Sequence, residues 1–199
     1  MHLFLSFRPY RRFSTFIQHE GIAPSVRLTA AVIALLTAFG LLPSTSFAQT
    51  ITFEQLADTS TLIPDGTGNF TGFGAPALDD GVAVFVGFGS SGHRGIYVEA
   101  GTLDRVADLN TPIPQGNGNF TNFSNPTISG ARTAFHGTGG SSQQGIYLDN
   151  AGTLTRIADR TMAVPGGTGN FLGFGTTPSV SGSAVALHGL GTGRQGIYL

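Results

Sequence analysis

Residues 63–74 read IPDGTGNFTGFG. Nearly the same words return at 113–124, IPQGNGNFTNFS, and at 164–175, VPGGTGNFLGFG. The steps are 50 and then 51 residues, and the flanks keep time with them. Ala57 and Asp58 return as Ala107 and Asp108, then as Ala158 and Asp159. Gly95, Ile96 and Tyr97 return as Gly145, Ile146 and Tyr147, then as Gly196, Ile197 and Tyr198. Self-similarity at a fixed period of this length is the mark of a tandem array, in which each unit needs its neighbour to cover a hydrophobic face.

Within a unit the pattern is short β segments separated by Gly, Pro and Asn. The most apolar runs are VAVFVGFG (82–89), RTAFHGTG (132–139) and AVALHGLG (184–191). GIYVEA (95–100), GIYLDN (145–150) and GIYL (196–199) each follow a Gly-rich turn. TLDRVAD (102–108) and TLTRIAD (153–159) end at a turn, and a shorter segment follows Pro76, Pro126 and Pro178. Strands this short with turn residues at every junction predict an all-β fold. The 3.6-residue period of an amphipathic helix is absent from 49–199. Four short strands in about 50 residues is the pattern of a β-propeller blade. The expectation is therefore an all-β array of three four-stranded, propeller-type units, at about 57–106, 107–157 and 158–199.

The amino-terminal part reads differently. Arg8, Arg11, Arg12 and Arg27 precede the uncharged run LTAAVIALLTAFGLL (28–42), and Ser46-Phe47-Ala48 follows. A basic region, an apolar stretch and small residues at the expected positions read as an export signal. Residues 1–48 are thus expected to be a signal peptide cleaved near Ala48, which places 49–199 in a secreted, periplasmic or cell-surface setting. The apolar run is shorter than the roughly 20 residues that span a bilayer. A membrane tie through an uncleaved 28–42 is the alternative. Without any Cys the domain must close its core by packing alone. From residue 49 onward six arginines face ten acids, a formal charge of −4. No basic stripe is available to neutralise phosphates, so nucleic acid is not an expected partner.

TITFEQLAD at the start of the array aligns with TLDRVAD and TLTRIAD: Phe53 falls on Leu103 and Leu154, and Leu56 on Val106 and Ile157. The sequence stops at GIYL, where another such strand is due. Residues 50–56 are therefore expected to be a closing strand for the last unit. Propellers have four to eight blades, so three units imply self-association into a six-bladed ring, a piece of a longer array, or an open stack.

The second unit carries Thr127, Gly130, Ala134 and Phe135, the third Ser179, Gly182, Ala186 and Leu187, and the first Ala77, Asp80, Val84 and Phe85 at the same places. This pattern resembles the repeat Asn-x-x-Gly-x-x-x-Ala-Phe of exported bacterial "choice-of-anchor" proteins, with the Asn replaced throughout and Ala-Phe intact once. The resemblance covers the repeat region. It implies an exported, repeat-built protein and no catalytic residues.

Each polar motif has a structural and a chemical reading. The GTGNF loops could cradle phosphate only ahead of a helix, so they are expected to be turns, with Phe70, Phe120 and Phe171 plugged into the core between units. Asp65, Asp79 and Asp80 are not repeated, which argues against calcium. His136 and His188 are equivalent, with Val86 in the first unit, too few to define a metal site. Asp58, Asp108 and Asp159 are expected to cap the following turn. No catalytic, metal or cofactor residues are assigned. The leading function is a non-catalytic structural or interaction module of the cell envelope or extracellular space, with a surface glycan or protein as partner. A carbohydrate-binding propeller is the alternative, its pockets lined by Asn69, Asn119, Asn170, Tyr97, Tyr147 and Tyr198. A hydrolase using the unrepeated Asp65, Asp79, Asp80, His93 and Arg94 comes third.

Overall fold

The computed structural model describes residues 51–199, and the expected signal peptide, its cleavage point and the 28–42 run lie outside the described residues. The chain is all-β: three antiparallel sheets, none of them closed. No helix among the described residues is long and apolar enough to cross a membrane.

Sheet 1 holds β1 (Phe70–Phe73), β2 (Ala77–Asp79), β3 (Val82–Gly89), β4 (Arg94–Glu99) and β5 (Leu103–Asp108). Sheet 2 holds β6 (Phe120–Phe123), β7 (Thr127–Ser129), β8 (Arg132–Gly139), β9 (Gln144–Asn150) and β10 (Thr153–Asp159). Sheet 3 holds β11 (Gly173–Phe174), β12 (Ser179–Ser181), β13 (Ala184–Gly191) and β14 (Arg194–Tyr198). The order is the same in each, except that sheet 3 has no strand outside β14 among the described residues. The long strand β3 takes β1 and β2 end to end along one edge and β4 along the other, and β5 lies outside β4. Proline explains the broken inner strand. Pro76, Pro126 and Pro178 have no N–H for the ladder, so pairing is interrupted there and restarts at the next residue, Ala77, Thr127 and Ser179.

Strand alternation gives every sheet two unlike faces. One is aromatic: Phe70, Phe73, Phe85 and Tyr97 in sheet 1, and Phe120, Phe123, Phe135 and Tyr147 in sheet 2. The other is aliphatic, with Val84, Val86 and Ile96 in sheet 1 and Ala134, Ile146 and Leu148 in sheet 2. The core forms where aromatic meets aliphatic. Phe120, Phe123, Phe135 and Tyr147 pack on Val84, Val86, Ile96 and Ala107. Phe171, Phe174 and Leu187 pack on Ala134, Ile146, Leu148 and Ala158. Phe120 and Phe171 are thus plugs at the interfaces between sheets, as their position implied, whereas Phe70 packs on Ile63, Phe85 and Tyr97 of its own unit. Sheets 1 and 3 cover opposite faces of sheet 2. The short strands β2, β7 and β12 run side by side. They are stapled by Gly130 N–H to Asp79 Oδ2 (2.7 Å) and Gly182 N–H to Ser129 Oγ (3.2 Å).

Glycines inside the strands make the aromatic packing possible. A Cβ on Gly137 would sit 2.7 Å from Phe120 Cε1 and 2.9 Å from its Cδ1. Gly87 and Gly189 lie under Phe70 and Phe171 in the same way. Phe120 and Tyr147 then meet edge to face, with centroids 4.8 Å apart and planes at 90°.

The expected closing strand, residues 50–56, is described from Ile51 onward. Thr50 lies outside the described residues, and Ile51–Leu56 pair with no sheet. A solitary strand has no ladder to hold it, and sheet 3, which lacks an outer strand, lies on the far side of sheet 2.

Candidate functional site

Among the described residues polar side chains gather at the turn after each outer strand, in a small cavity under the second turn, in an open pocket of 400 Å³ where Ser142, Arg160 and Asn170 meet, and in a cleft between sheets 1 and 2.

The turn is built around the repeated Asp. Asp108 Oδ1 accepts from Asn110 N–H (2.9 Å) and from the Thr111 hydroxyl (2.9 Å), and Arg105 Nη1 donates to Oδ2 (2.9 Å). Asp159 repeats the set with Thr161 and Arg156. Asp58 repeats it with Ser60, Thr61 and Gln55. Burial alone would raise the Asp108 carboxyl, but the bonds from Thr111, Arg105 and Asn110 outweigh it and hold it below the usual carboxylate range. Asp159 behaves alike, with Thr161 and Arg156 as its donors. These carboxylates are occupied in fixing the chain's course, the turn-capping role expected of them.

The six residues suggested for glycan binding lie at two levels in each unit, the Asn on the exposed turn and the Tyr in or beside the core. Asn69, Asn119 and Asn170 are exposed, bridging Leu62, Pro112 and Ala163 through the backbone. Tyr97 and Tyr147 are core side chains and Tyr198 is half-buried. Burial, aided by the neighbouring Asp108 and Asp159, pushes both core phenols up to about 12. The Tyr97 hydroxyl bonds His93 Nε2 at 2.7 Å. In the second unit Gln143 replaces that His and turns away to Asn117, accepting from its N–H (2.9 Å) and donating to its carbonyl (2.7 Å). Tyr147 is left beside a cavity of 110 Å³ with Gln144, Asp159 and Arg160. In the third unit Arg194 donates to the Gly166 carbonyl. The same position thus ties down the loop in the second and third units, whereas in the first His93 bonds the core phenol.

The unrepeated polar residues of the first unit are scattered. Asp65 is exposed and 3.4 Å from Arg105 Nη2. Asp79 staples the next sheet, and Asp80 sits in a hairpin turn with φ 47°. Arg94 donates to the Phe123 carbonyl (2.6 Å) and lies 4.8 Å over the Phe88 ring. His136 is buried, which lowers its pKa, and its Nε2 lies 3.4 Å from Gln144 Oε1. His188 makes the equivalent bond to Gln195 at 3.0 Å.

The cleft is the largest of these spaces, at 430 Å³. Val82, Val98 and Val106 of sheet 1 and Ile128 of sheet 2 supply apolar walls, and Asp149 reaches it from β9. Asp149 is 7% exposed. Its recorded partner is Gly152 N–H, at 3.2 Å, within the β9–β10 hairpin. Burial raises its pKa against that single bond. Thr133, its cross-strand partner, is also buried. Asp104 and Arg105 line it as well; the volume falls in the range of small-molecule pockets, and the lining would suit a guest with both an apolar and a polar part. Sequence reasoning passed over Asp149 because it ends an ordinary strand. The available signal was a break in the repeat, since the first unit has Glu99 there.

The chain matches a family described as "Family of unknown function (DUF7453)" over residues 27–189. That span is most of the chain. The chain belongs to this family. The family match takes in all of sheets 1 and 2 and most of sheet 3, so the stacked-sheet architecture falls within it. No curated protein and no solved structure matches the chain.

Proposed function

We propose that this is an exported, non-catalytic interaction module, a stack of propeller-type blades that presents variable loops from a fixed β scaffold. The observation that carries the reading is the division of labour within each unit. The repeated residues make interfaces and turns: the aromatic face, the strand glycines and the Asp that fixes the turn. What differs between units lies at loop ends, as at His93, Gln143 and Arg194. A scaffold with constant packing and changing loops is how repeat proteins present binding surfaces.

One feature supports blades over a plain stack: the inner short strands β2, β7 and β12 are in contact along one side, as expected when sheets radiate from an axis. The basic and apolar leader supports export, and the resemblance to exported choice-of-anchor repeat proteins agrees with it. A glycan remains the alternative partner, favoured by the exposure of Asn69, Asn119 and Asn170 at equivalent turns.

The test has two parts. Amino-terminal sequencing of the protein from a fractionated bacterial host is expected to begin at Gln49, outside the cytosol; an intact leader in the cytosol would refute export. A glycan array compares the wild type with a variant carrying Asn69→Ala, Asn119→Ala and Asn170→Ala. Retention on a glycan that the variant loses would replace the general interaction reading with the lectin one.

A further inference from the structure

The two outermost sheets each carry half of an interface that the chain already makes twice. Sheet 1 turns its aromatic face away from sheet 2. Ala57 packs there against Ile63, Phe70, Phe85 and Tyr97, as Ala107 packs against the aromatic face of sheet 2. A cavity of 260 Å³ remains between residues 54–57 and Phe73, Ala83 and Phe85. At the equivalent place on sheet 2 the space is filled by Val84, Val86 and Ile96 of the sheet before it. Ala57 therefore occupies the outer-strand position of a sheet whose other strands are missing.

Sheet 3 has the complementary lack. Its aliphatic face is open: Ile197 is 75% exposed, whereas Ile96 and Ile146 are fully buried. Among the described residues the outer edge of β14 carries no strand, although β4 and β9 are flanked there by β5 and β10. The segment that matches β5 and β10 in sequence is Ile51–Asp58, and Phe53 on it is 95% exposed. The segment is nonetheless partly shaped for pairing. Gln55 Nε2 donates to Asp58 Oδ2 at 2.9 Å, where Arg105 and Arg156 donate to Asp108 and Asp159. Asp58 N–H donates to Thr61 Oγ1 at 2.9 Å, as Asp108 N–H does to Thr111. The end of the strand has formed without its sheet.

We infer that Ile51–Asp58 of one copy of this chain adds to the outer edge of β14 of a second copy, which sets the open face of that sheet 3 on the aromatic face of sheet 1. This deepens the interaction reading by naming a partner, the same chain. Within the described residues the two half-interfaces lie on opposite sides of sheet 2, so the contact is one between copies. The contact is head to tail, and made twice it closes a pair of chains into a ring of six sheets, within the size range of propellers. Main-chain bonds along β14 and burial of Phe53, Leu56, Ile197 and Leu199 hold it. The register of β4 on β5, carried over, sets Ile197 opposite Ala57, Tyr198 opposite Gln55 and Leu199 opposite Glu54.

The chain has no native Cys, so single Glu54→Cys and Leu199→Cys variants of the full chain, mixed under mild oxidation, report the contact directly. Both positions are exposed, and neither change disturbs a core. The expected product is a mixed disulfide well above its statistical share, with a native mass of twice the single chain for the wild type. Phe53→Asp is expected to reduce the mixed product at least tenfold and leave the melting temperature of the single chain unchanged. A statistical share of mixed disulfide, or a wild-type mass of one chain, overturns the inference; a ladder of longer oligomers overturns the closed pair. Failure here leaves export and glycan retention to their own measurements.

Discussion

Gly137 is the sharpest place to perturb the packing. It is a strand residue of β8, and a methyl group there would stand 2.7 and 2.9 Å from two carbons of the Phe120 ring and 3.3 Å from Tyr147 Cδ2. Ordinary carbon contacts begin near 3.5 Å, so Gly137→Ala asks the ring to move by nearly an ångström. Phe120 has nowhere to go. It is 1% exposed, with ring centroids 5.1 Å from Phe123, 5.9 Å from Phe135 and 4.8 Å from Tyr147. Forcing a methyl into such a core costs about 1–3 kcal/mol, and here the upper half of that range is expected. For a chain of this size that is a fall in melting temperature of roughly 5–10 °C. Thermal unfolding followed by near-ultraviolet circular dichroism reads both the transition and the aromatic packing. Gly140→Ala is the control, because a Cβ there meets nothing within 4 Å and the backbone is not left-handed. Phe120→Leu in the Gly137→Ala background makes room for the methyl, so the double variant should lose less than the two single losses together. Equal melting temperatures for the Gly137 and Gly140 variants, or simple additivity in the double variant, would refute this account of the strand glycines.

Further outcomes follow from the site. Asp108→Asn removes a buried acceptor from Arg105 and is expected to cost about 2–4 kcal/mol at neutral pH. Because the folded Asp108 pKa is depressed, this stability is present above the unfolded carboxylate pKa of about 3.9 and lost as pH falls through the folded value. The gap between wild type and variant in urea melts should therefore narrow under acid, and a gap constant down to pH 2 would count against it. Asp149 is the opposite case, since its folded pKa is raised. The folded chain there holds its proton longer than the unfolded one, so stability declines as pH rises from the unfolded value through the folded one. Asp149→Asn keeps an acceptor for Gly152 N–H and should raise the melting temperature at pH 7 but not at pH 3; no gain at pH 7 would refute the penalty. Tyr97→Phe loses the bond to His93 and should cost about 1 kcal/mol, whereas Tyr147→Phe, at the position where Gln replaces that His, should cost little by the same assay.

Much of the fold was legible because the repeat wrote it three times. The bounds of β3, β8 and β13 coincide with the apolar runs 82–89, 132–139 and 184–191, since each run is closed by turn residues on both sides. The role of Asp108 was legible for a related reason: a short acid at a strand end, three residues before Thr111, has few things to do except accept bonds from the next turn. The strands β1 and β6 were not legible. Phe70–Phe73 and Phe120–Phe123 read as the tail of a Gly-rich loop, and only pairing with β3 and β8 shows them to be half of a broken inner strand. Tyr97 and Tyr147 looked like ligand-facing aromatics, because sequence does not record which face of a strand is covered. Asp149 was missed because its significance comes from the sheet opposite, which a linear reading does not place.

Each sheet has an aromatic side and an aliphatic side, and every joint in the chain sets one against the other. A unit therefore has a front and a back, like a brick with studs above and sockets below. Copying a whole unit of about 50 residues inserts a brick that already fits both neighbours, and deleting one brings together two surfaces of kinds that already mate. A copying slip of any other length would put stud against stud. Lengthening or shortening by whole bricks is thus the change in gene length that this architecture absorbs without inventing a new joint.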